Sequence, residues 1–182
     1  PELQEFLLPT ALVQSDAPEI KQLFKKLCAD LFLSKGEKPR WIKLSLIKKF
    51  FDFCSKSIAA APYKGRTDAL TCLRLRESSC GGKARLFAAL MRNAGIPCRI
   101  VKGVILKSGT WTSTHVWAEA FLQGKWVPFC PQDEYFAEIP AAYLALRFGD
   151  GSIFSHNADI NFDYVFMARK KSAKLRLGGK FF

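Results

Sequence analysis

The sequence predicts an α+β domain, and three observations lead to that prediction. Apolar residues recur at helical spacing through the first third of the chain. A further helical segment begins at Cys80 and ends before Gly95 and Pro97, both of which stop helices. Residues rich in Val, Ile and aromatics follow, and Gln123-Gly124 forms a two-residue hairpin loop within them. Helices followed by hairpin-linked strands indicate helices packed on one antiparallel sheet.

The chain is expected to hold one domain between two terminal segments. Its 182 residues are 49% hydrophobic, which suits a single packed core and excludes a disordered chain. Residues 1–14 are predicted as an extended N-terminal arm, 15–168 as the domain, and 169–182 as a basic C-terminal tail. No apolar run reaches the roughly 18–20 residues needed to span a bilayer. The chain begins at Pro1 rather than Met, so we expect it to come from a longer protein.

Two helices are predicted before Cys80. Ser15 or Asp16 is expected to cap the first, which carries Pro18 in its first turn and runs to about Leu33. The second starts near Pro39 and shows an apolar face made of Trp41, Leu44, Ile47, Phe51, Cys54 and Ile58.

The later elements follow from turn signals. Residues 61–68 are predicted as a loop, and residues 69–75 have no clear type. The Cys80 helix places Ala84, Phe87 and Met91 on one face, with Arg85 and Arg92 opposite. Strands are predicted over residues 98–106, 111–122, 125–129 and 161–168, and residues 141–148 are ambiguous.

The formal net charge of +12 favours acidic partners such as nucleic acid, anionic lipid or an anionic polymer. The basic residues are divided between the first two helices and the tail, and no recognition motif accompanies them. We therefore expect solvated helix faces and no specific nucleic-acid partner. An electrostatic binder of anionic polymer stays as a third hypothesis, based on charge alone.

Six cysteines in a chain of this length do not indicate a disulfide framework, and none shows the C-x-x-C spacing of a metal site. We expect most of them to be small core residues, with a Cys28–Cys54 disulfide as an alternative in an oxidising compartment. The sequence predicts no metal and no cofactor. Calcium is not implied, because no acidic cluster has suitable spacing.

Cys80 is the candidate nucleophile. It precedes Gly81 and Gly82 at the start of a helix, where backbone N–H groups lower the pKa of a thiol and can stabilise an oxyanion. His115 lies on a later strand and is the candidate base. A thiol and an imidazole in these settings predict cysteine nucleophile chemistry on an amide.

The hairpin register places a second cysteine beside His115. The two-residue loop pairs Leu122 with Lys125, and counting back along the strands pairs Trp117 with Cys130. Cys130 therefore falls on the His115 face, at the position that orients the imidazole. A thiol is a weaker acceptor than a carboxylate. Strict side-chain alternation would place Asp133 on the opposite face from His115. Pro131 breaks the strand, however, so the alternation does not exclude a contact between Asp133 and His115.

These residues resemble the transglutaminase-like superfamily, which shares the papain-like arrangement of nucleophile helix and sheet. The resemblance covers roughly residues 70–135. It is based on Ser79-Cys80-Gly81-Gly82-Lys83, Gly95-Ile96-Pro97-Cys98-Arg99, His115-Val116-Trp117-Ala118-Glu119 and Trp126-Val127-Pro128-Phe129. It implies Cys80 as nucleophile, His115 as base, and Gly81, Gly82 and Trp117 at the oxyanion or substrate. The family's acid falls on Cys130, so Asp133 or Gln132 is expected to substitute for it.

A second resemblance concerns the C-terminal third. The segments Phe136-Ala137-Glu138-Ile139-Pro140, Tyr143-Leu144 and Phe162-Asp163-Tyr164 are similar to a bacterial subgroup whose domains are fused to, or encoded near, seven-helix membrane proteins. This resemblance implies an extracytoplasmic, periplasmic domain of a larger membrane-associated protein, with a cytoplasmic location as the alternative.

Two functions are therefore expected. The first is a cysteine enzyme that hydrolyses a peptide bond or transfers a glutamine acyl group, with protein or peptide amides as substrates. The alternative is a catalytically impaired binding or sensor module linked to a membrane protein, which the cysteine at position 130 favours.

Overall fold

The structure is a computed structural model that describes residues 3–29, 40–62, 67–154 and 165–168. Within these ranges the chain forms four α-helices: α1 (Pro18–Cys28), α2 (Arg40–Lys56), α3 (Ala69–Leu75) and α4 (Cys80–Asn93). The predicted basic tail, the later part of the first predicted helix and the first half of the last predicted strand lie outside the described residues. None of the helices in the described ranges combines the length and the apolarity that a membrane span requires.

The strands come mostly after α4. They are β1 (Ala59–Ala60), β2 (Glu77–Ser78), β3 (Cys98–Ile105), β4 (Gly109–Trp111), β5 (His115–Leu122), β6 (Lys125–Cys130), β7 (Tyr135–Phe136), β8 (Tyr143–Phe148) and β9 (Phe166–Ala168). Five of them form an antiparallel sheet in the order β7-β6-β5-β3-β8. The α+β prediction, with helices on one antiparallel sheet, is confirmed.

The β5–β6 hairpin has the predicted register. Leu122 pairs with Lys125 and Phe121 pairs with Trp126, and the ladder continues to Ala118 opposite Phe129. Gln123 and Gly124 have φ values of 53° and 83°, which is the backbone of a type I′ turn. The turn chemistry therefore fixes which residues of β5 and β6 share a face.

The helix α4 is buried along almost its whole length, so Arg85 and Arg92 do not form a solvated face opposite the core. Arg85 donates to the Thr67 carbonyl and to the Asp150 carboxylate. Arg92 donates to the carbonyls of Cys98 and Leu8. Both guanidinium groups can be buried because protein acceptors replace water.

The N-terminal segment differs from the predicted extended arm, since Leu3–Leu7 form a 3-10 helix. The Phe6 ring packs edge-on against Trp126, with 5.1 Å between ring centroids. Apolar contact with the sheet therefore orders this segment.

The predicted N-cap of the first helix is wrong. Ala17 precedes α1, and no side chain caps it. The carbonyl of Ser15 instead accepts a hydrogen bond from the Asn93 side chain. Pro18 does occupy the first turn, as predicted.

Three further predictions need correction. Leu44 is 54% exposed, although it was expected on the apolar face of α2. Residues 111–122 are not one strand, because Trp111 belongs to β4, which pairs with β9, and β5 begins at His115. Cys54 carries a free thiol, so the alternative Cys28–Cys54 disulfide is not formed.

Candidate active site

Cys80 is the first residue of α4, directly after Ser79. It is half-buried, whereas the other five cysteines are buried. Burial raises the pKa of the Cys80 thiol, and hydrogen bonds from the backbone N–H groups of Val116 and Gly81 partly oppose that rise. The Val116 contact joins the start of α4 to the second residue of β5, directly beside His115. Sequence reasoning did not find this contact, because it depends on how the helix docks onto the sheet.

The glycines after Cys80 have separable roles. The Gly81 N–H faces the Cys80 sulfur, as expected for a group near the reacting atom. Gly82 is needed for packing, because a Cβ there would lie 1.9 Å from Ser78 Oγ and 2.7 Å from Thr67 Cγ2. The close approach that requires glycine at position 82 is therefore made to the protein itself.

His115 begins β5 and is 9% exposed. It lies opposite Gly103 in the β3–β5 ladder. Its ring stacks beside Trp117, with centroids 6.3 Å apart, and meets Tyr143 edge-on at 5.3 Å. These two aromatic rings restrict the orientation of the imidazole.

Two side chains contact the same nitrogen of His115. Nε2 lies 3.1 Å from Cys130 Sγ and 3.3 Å from Asp133 Oδ2. The register prediction for Cys130 thus agrees with the structure, and Asp133 reaches the ring as well. An ionised carboxylate only accepts, so the Asp133 contact favours the tautomer with its proton on Nε2. Nδ1 is then the nitrogen that carries a lone pair.

Tyr143 holds Asp133 in place, since its hydroxyl donates to Asp133 Oδ2. The same hydroxyl lies 3.9 Å from Cys130 Sγ. Burial and the hydrogen bond to Asp133 raise the pKa of Tyr143, so the phenol remains a donor. Tyr143 was not predicted as a site residue, because it lies on a strand whose type the sequence left ambiguous.

The pKa shifts in the site favour the neutral forms of His115, Cys130 and Cys80. Burial lowers the pKa of His115, and the charge of Asp133 partly opposes this. Burial raises the pKa of Cys130 to about 12, so Cys130 is a thiol at neutral pH. Together with the raised pKa of Cys80, these directions describe a neutral thiol and a neutral imidazole. Asp133 is the stronger acceptor for His115.

A cavity of about 370 Å³ joins these residues. Its lining includes Ser79, Cys80, His115, Gln132 and Asp133, together with residues 60–62. Gln132 Oε1 is buried there, with no hydrogen-bond partner among the described residues. Two residues of the predicted loop at 61–68, Ala61 and Pro62, thus line the same cavity as Gln132 and Asp133.

Trp117 does not line this cavity. It is 1% exposed and packs with Val101 and Cys130 behind the imidazole. Its position gives it a role in holding His115 rather than a contact with substrate.

A sequence model of the Transglutaminase-like superfamily matches residues 33–131 of the chain. No curated protein shows significant sequence similarity to it. Among solved structures, a candidate cysteine protease from Cytophaga hutchinsonii is 21% identical with a TM-score of 0.63, covering 92% of this chain. The match covers 52% of that protein, so the chain spans about half its length.

A second similar structure is the periplasmic domain of TgpA from Pseudomonas aeruginosa. It is 20% identical with a TM-score of 0.47, and the match covers 71% of this chain and 46% of that one. The family match extends over more than half of the 182 residues and includes both Cys80 and His115. The chain belongs to the transglutaminase-like superfamily.

Proposed function

We propose that this domain is a cysteine enzyme that acts on amides, with Cys80 as nucleophile and His115 as base. The observation that carries the proposal is the pair of Nε2 contacts to Cys130 and Asp133, made by a histidine that shares a cavity with Cys80. An imidazole held through one nitrogen presents the other to a partner, which is the arrangement that a thiol nucleophile needs.

The chemistry follows from the tautomer. As the Cys80 sulfur attacks the amide carbon, His115 Nδ1 accepts the thiol proton, and the Asp133 carboxylate stabilises the imidazolium that forms. His115 then gives the proton to the leaving amine as the C–N bond breaks. The acyl-enzyme is released by water, which gives hydrolysis, or by a second amine, which gives acyl transfer.

The substrate class is a peptide or protein amide. The cavity is lined by residues 60–62, Gln132 and Asp133 together with Cys80, and we expect a substrate segment to bind there beside the thiol. The unpartnered Gln132 Oε1 offers an acceptor for a substrate N–H group.

A direct test is alkylation of Cys80 by chloroacetamide at fixed pH, followed by mass spectrometry of the modified peptide. The wild type should label at Cys80, and His115→Ala should slow labelling about 10²-fold or more. The same proteins would be assayed for peptide hydrolysis and for amine incorporation into an unstructured protein. If His115→Ala labels at the wild-type rate, the proposed pair is wrong.

A second function is supported by Cys130 alone. Its sulfur is closer to His115 Nε2 than the Asp133 oxygen is, and a neutral thiol stabilises an imidazolium poorly. On this reading the domain keeps the fold as a binding or sensor module, linked to a membrane protein, with little turnover. Cys130→Asp distinguishes the two functions. A large gain in amide turnover would favour the impaired module, and no gain would favour a working site oriented by Asp133.

A further inference from the structure

We infer that His115, Cys130 and Asp133 form a binding site for a divalent transition metal, with Zn²⁺ as the best-matched ion. This site goes beyond the proposed function, because metal binding does not require Cys80 to turn over. The nitrogen, sulfur and carboxylate oxygen that these residues offer all lie within 4.8 Å of one another.

The interatomic distances approach those of a coordination tetrahedron. Ligand bonds of about 2.0–2.3 Å place a nitrogen and an oxygen about 3.4 Å apart, and a nitrogen and a sulfur about 3.6 Å apart. His115 Nε2 lies 3.3 Å from Asp133 Oδ2 and 3.1 Å from Cys130 Sγ. The third edge, between Cys130 Sγ and the Asp133 carboxylate oxygen, measures at most 4.8 Å, against about 3.6 Å in the tetrahedron, so these two side chains must approach each other for the three atoms to surround one ion.

The donor set selects the metal. A thiolate, an imidazole and a carboxylate are the ligands that tetrahedral zinc takes, whereas calcium and magnesium prefer oxygen alone. A carboxylate in place of Cys130, as the resemblance leads one to expect, would leave only one nitrogen beside oxygen donors. The thiol is therefore what makes this chain's site soft enough for zinc.

The surroundings also suit a bound ion. The Tyr143 hydroxyl donates to Asp133 Oδ2 and so fixes the ligand carboxylate from outside the coordination sphere. His115 and Asp133 both line the cavity, so an ion can enter and its fourth position can hold water. On binding, the metal displaces the Cys130 thiol proton to solvent and takes the Nε2 lone pair, which moves the imidazole proton to Nδ1.

The consequence for the proposed function is inhibition. With its proton on Nδ1, His115 has no lone pair to accept the Cys80 proton. This consequence depends on the proposed function, whereas the site itself does not.

The test uses Co²⁺ alone as the probe, titrated into the reduced protein. We expect a near-ultraviolet thiolate-to-cobalt charge-transfer band, together with the strong visible bands of four-coordinate cobalt, and their loss when Zn²⁺ is added. Cys130→Ser should abolish the charge-transfer band, and Cys80→Ser should retain it. Absence of the band at millimolar Co²⁺, or its loss in Cys80→Ser with retention in Cys130→Ser, would overturn the site.

Two further variants test the metal site without relying on the folding of Cys130→Ser. Asp133 is partly exposed, so Asp133→Asn should stay folded by thermal unfolding and bind Co²⁺ at least about 10-fold more weakly. Tyr143→Phe should weaken binding about 10- to 100-fold while keeping the band at saturation. Unchanged affinity in both variants would contradict the site even if Cys130→Ser fails to fold.

The effect on Cys80 separates this inference from the proposed function. Zn²⁺ should slow alkylation of Cys80 in the wild type and have a smaller effect in Asp133→Asn. Cobalt bands that appear without any change in alkylation would support the metal site and count against His115 as the base.

Discussion

Asp133 reaches His115 from a position that the strand alternation assigns to the opposite face. Its Oδ2 lies 3.3 Å from Nε2 of His115. The strand β6 ends at Cys130, and the chain turns through Glu134, whose φ is 60°, before β7 begins. This turn removes the alternation and brings the carboxylate back to the imidazole, beside the Cys130 sulfur.

Asp133 rather than Cys130 should therefore orient the base. We expect Asp133→Asn to lower the rate of Cys80 alkylation about 10²-fold, because an amide cannot stabilise the imidazolium and permits the wrong tautomer. Cys130→Ser should change the rate less than about 10-fold, since the carboxylate remains. Chloroacetamide labelling at fixed pH measures both variants. The reverse order of effects would assign the orienting role to Cys130.

Cys80 should be the one cysteine of the folded protein that reacts readily. The other five thiols are buried, and burial raises the pKa of Cys54, Cys72, Cys98 and Cys130. Brief treatment with a disulfide reagent should modify one thiol in native protein and six in denaturant, with peptide mapping placing the first on Cys80. The Cys80→Ser variant is the control and should lose the fast reaction. Fast labelling of a second cysteine would contradict the buried positions.

Gly103→Ala should destabilise the fold. A Cβ at Gly103 would lie 2.0 Å from the Leu144 carbonyl oxygen and 2.8 Å from the Trp117 ring. The carbonyl is backbone in the β3–β8 ladder and cannot turn aside, so we expect a loss of about 1–3 kcal/mol in the free energy of unfolding. Urea denaturation measures it. Because Gly103 pairs with His115, the variant should also slow Cys80 alkylation, and wild-type values for both would refute the packing argument.

Asp68 should stabilise α3 in a pH-dependent way. Burial raises the pKa of its carboxyl, but hydrogen bonds from the Thr71 N–H and hydroxyl, together with those from the Gln14 side chain and the Asp68 backbone, outweigh this, and the pKa falls below its ordinary value. A lowered folded-state pKa gives stability that is present above the unfolded-state pKa, about 3.9, and is lost as the pH falls through the folded-state pKa.

The Asp68→Ala variant tests this contribution. It should cost about 1 kcal/mol at pH 7, and the difference from wild type should shrink under acidic conditions where both proteins still fold. Asp68→Asn keeps a capping acceptor and is the matched control. Urea denaturation of all three proteins at neutral and acidic pH measures the effect. A cost for Asp68→Ala that does not change with pH would show that the carboxylate charge is irrelevant.

The ion pair between Arg85 and Asp150 should be essential to the position of α4. Arg85 is buried, and its Nε and Nη2 lie 2.9 and 2.8 Å from Asp150 Oδ1. Asp150→Ala leaves a buried guanidinium with the Thr67 carbonyl as its remaining acceptor among the described residues, and we expect a loss of about 3 kcal/mol. Asp150→Asn retains an acceptor and should cost less. Equal stabilities of wild type and Asp150→Ala in urea would contradict the prediction.

The sequence determined the elements whose signals are local. The Cys80 helix with its stop at Gly95 and the hairpin at Gln123-Gly124 follow from turn chemistry and side-chain alternation, as does the place of Cys130 beside His115. Those signals depend on residues a few positions apart, so the chain displays them directly.

Only the tertiary structure decided what completes the site. The turn after β6 ends the side-chain alternation and so brings Asp133 to His115. Tyr143 lies on the edge strand β8, far along the chain from Cys80. Val116 reaches the Cys80 sulfur because α4 docks on β5. Contacts between elements depend on packing rather than on periodicity. The sequence could therefore single out Cys80 and His115 as candidates, while the groups that hold His115 follow from the assembled fold.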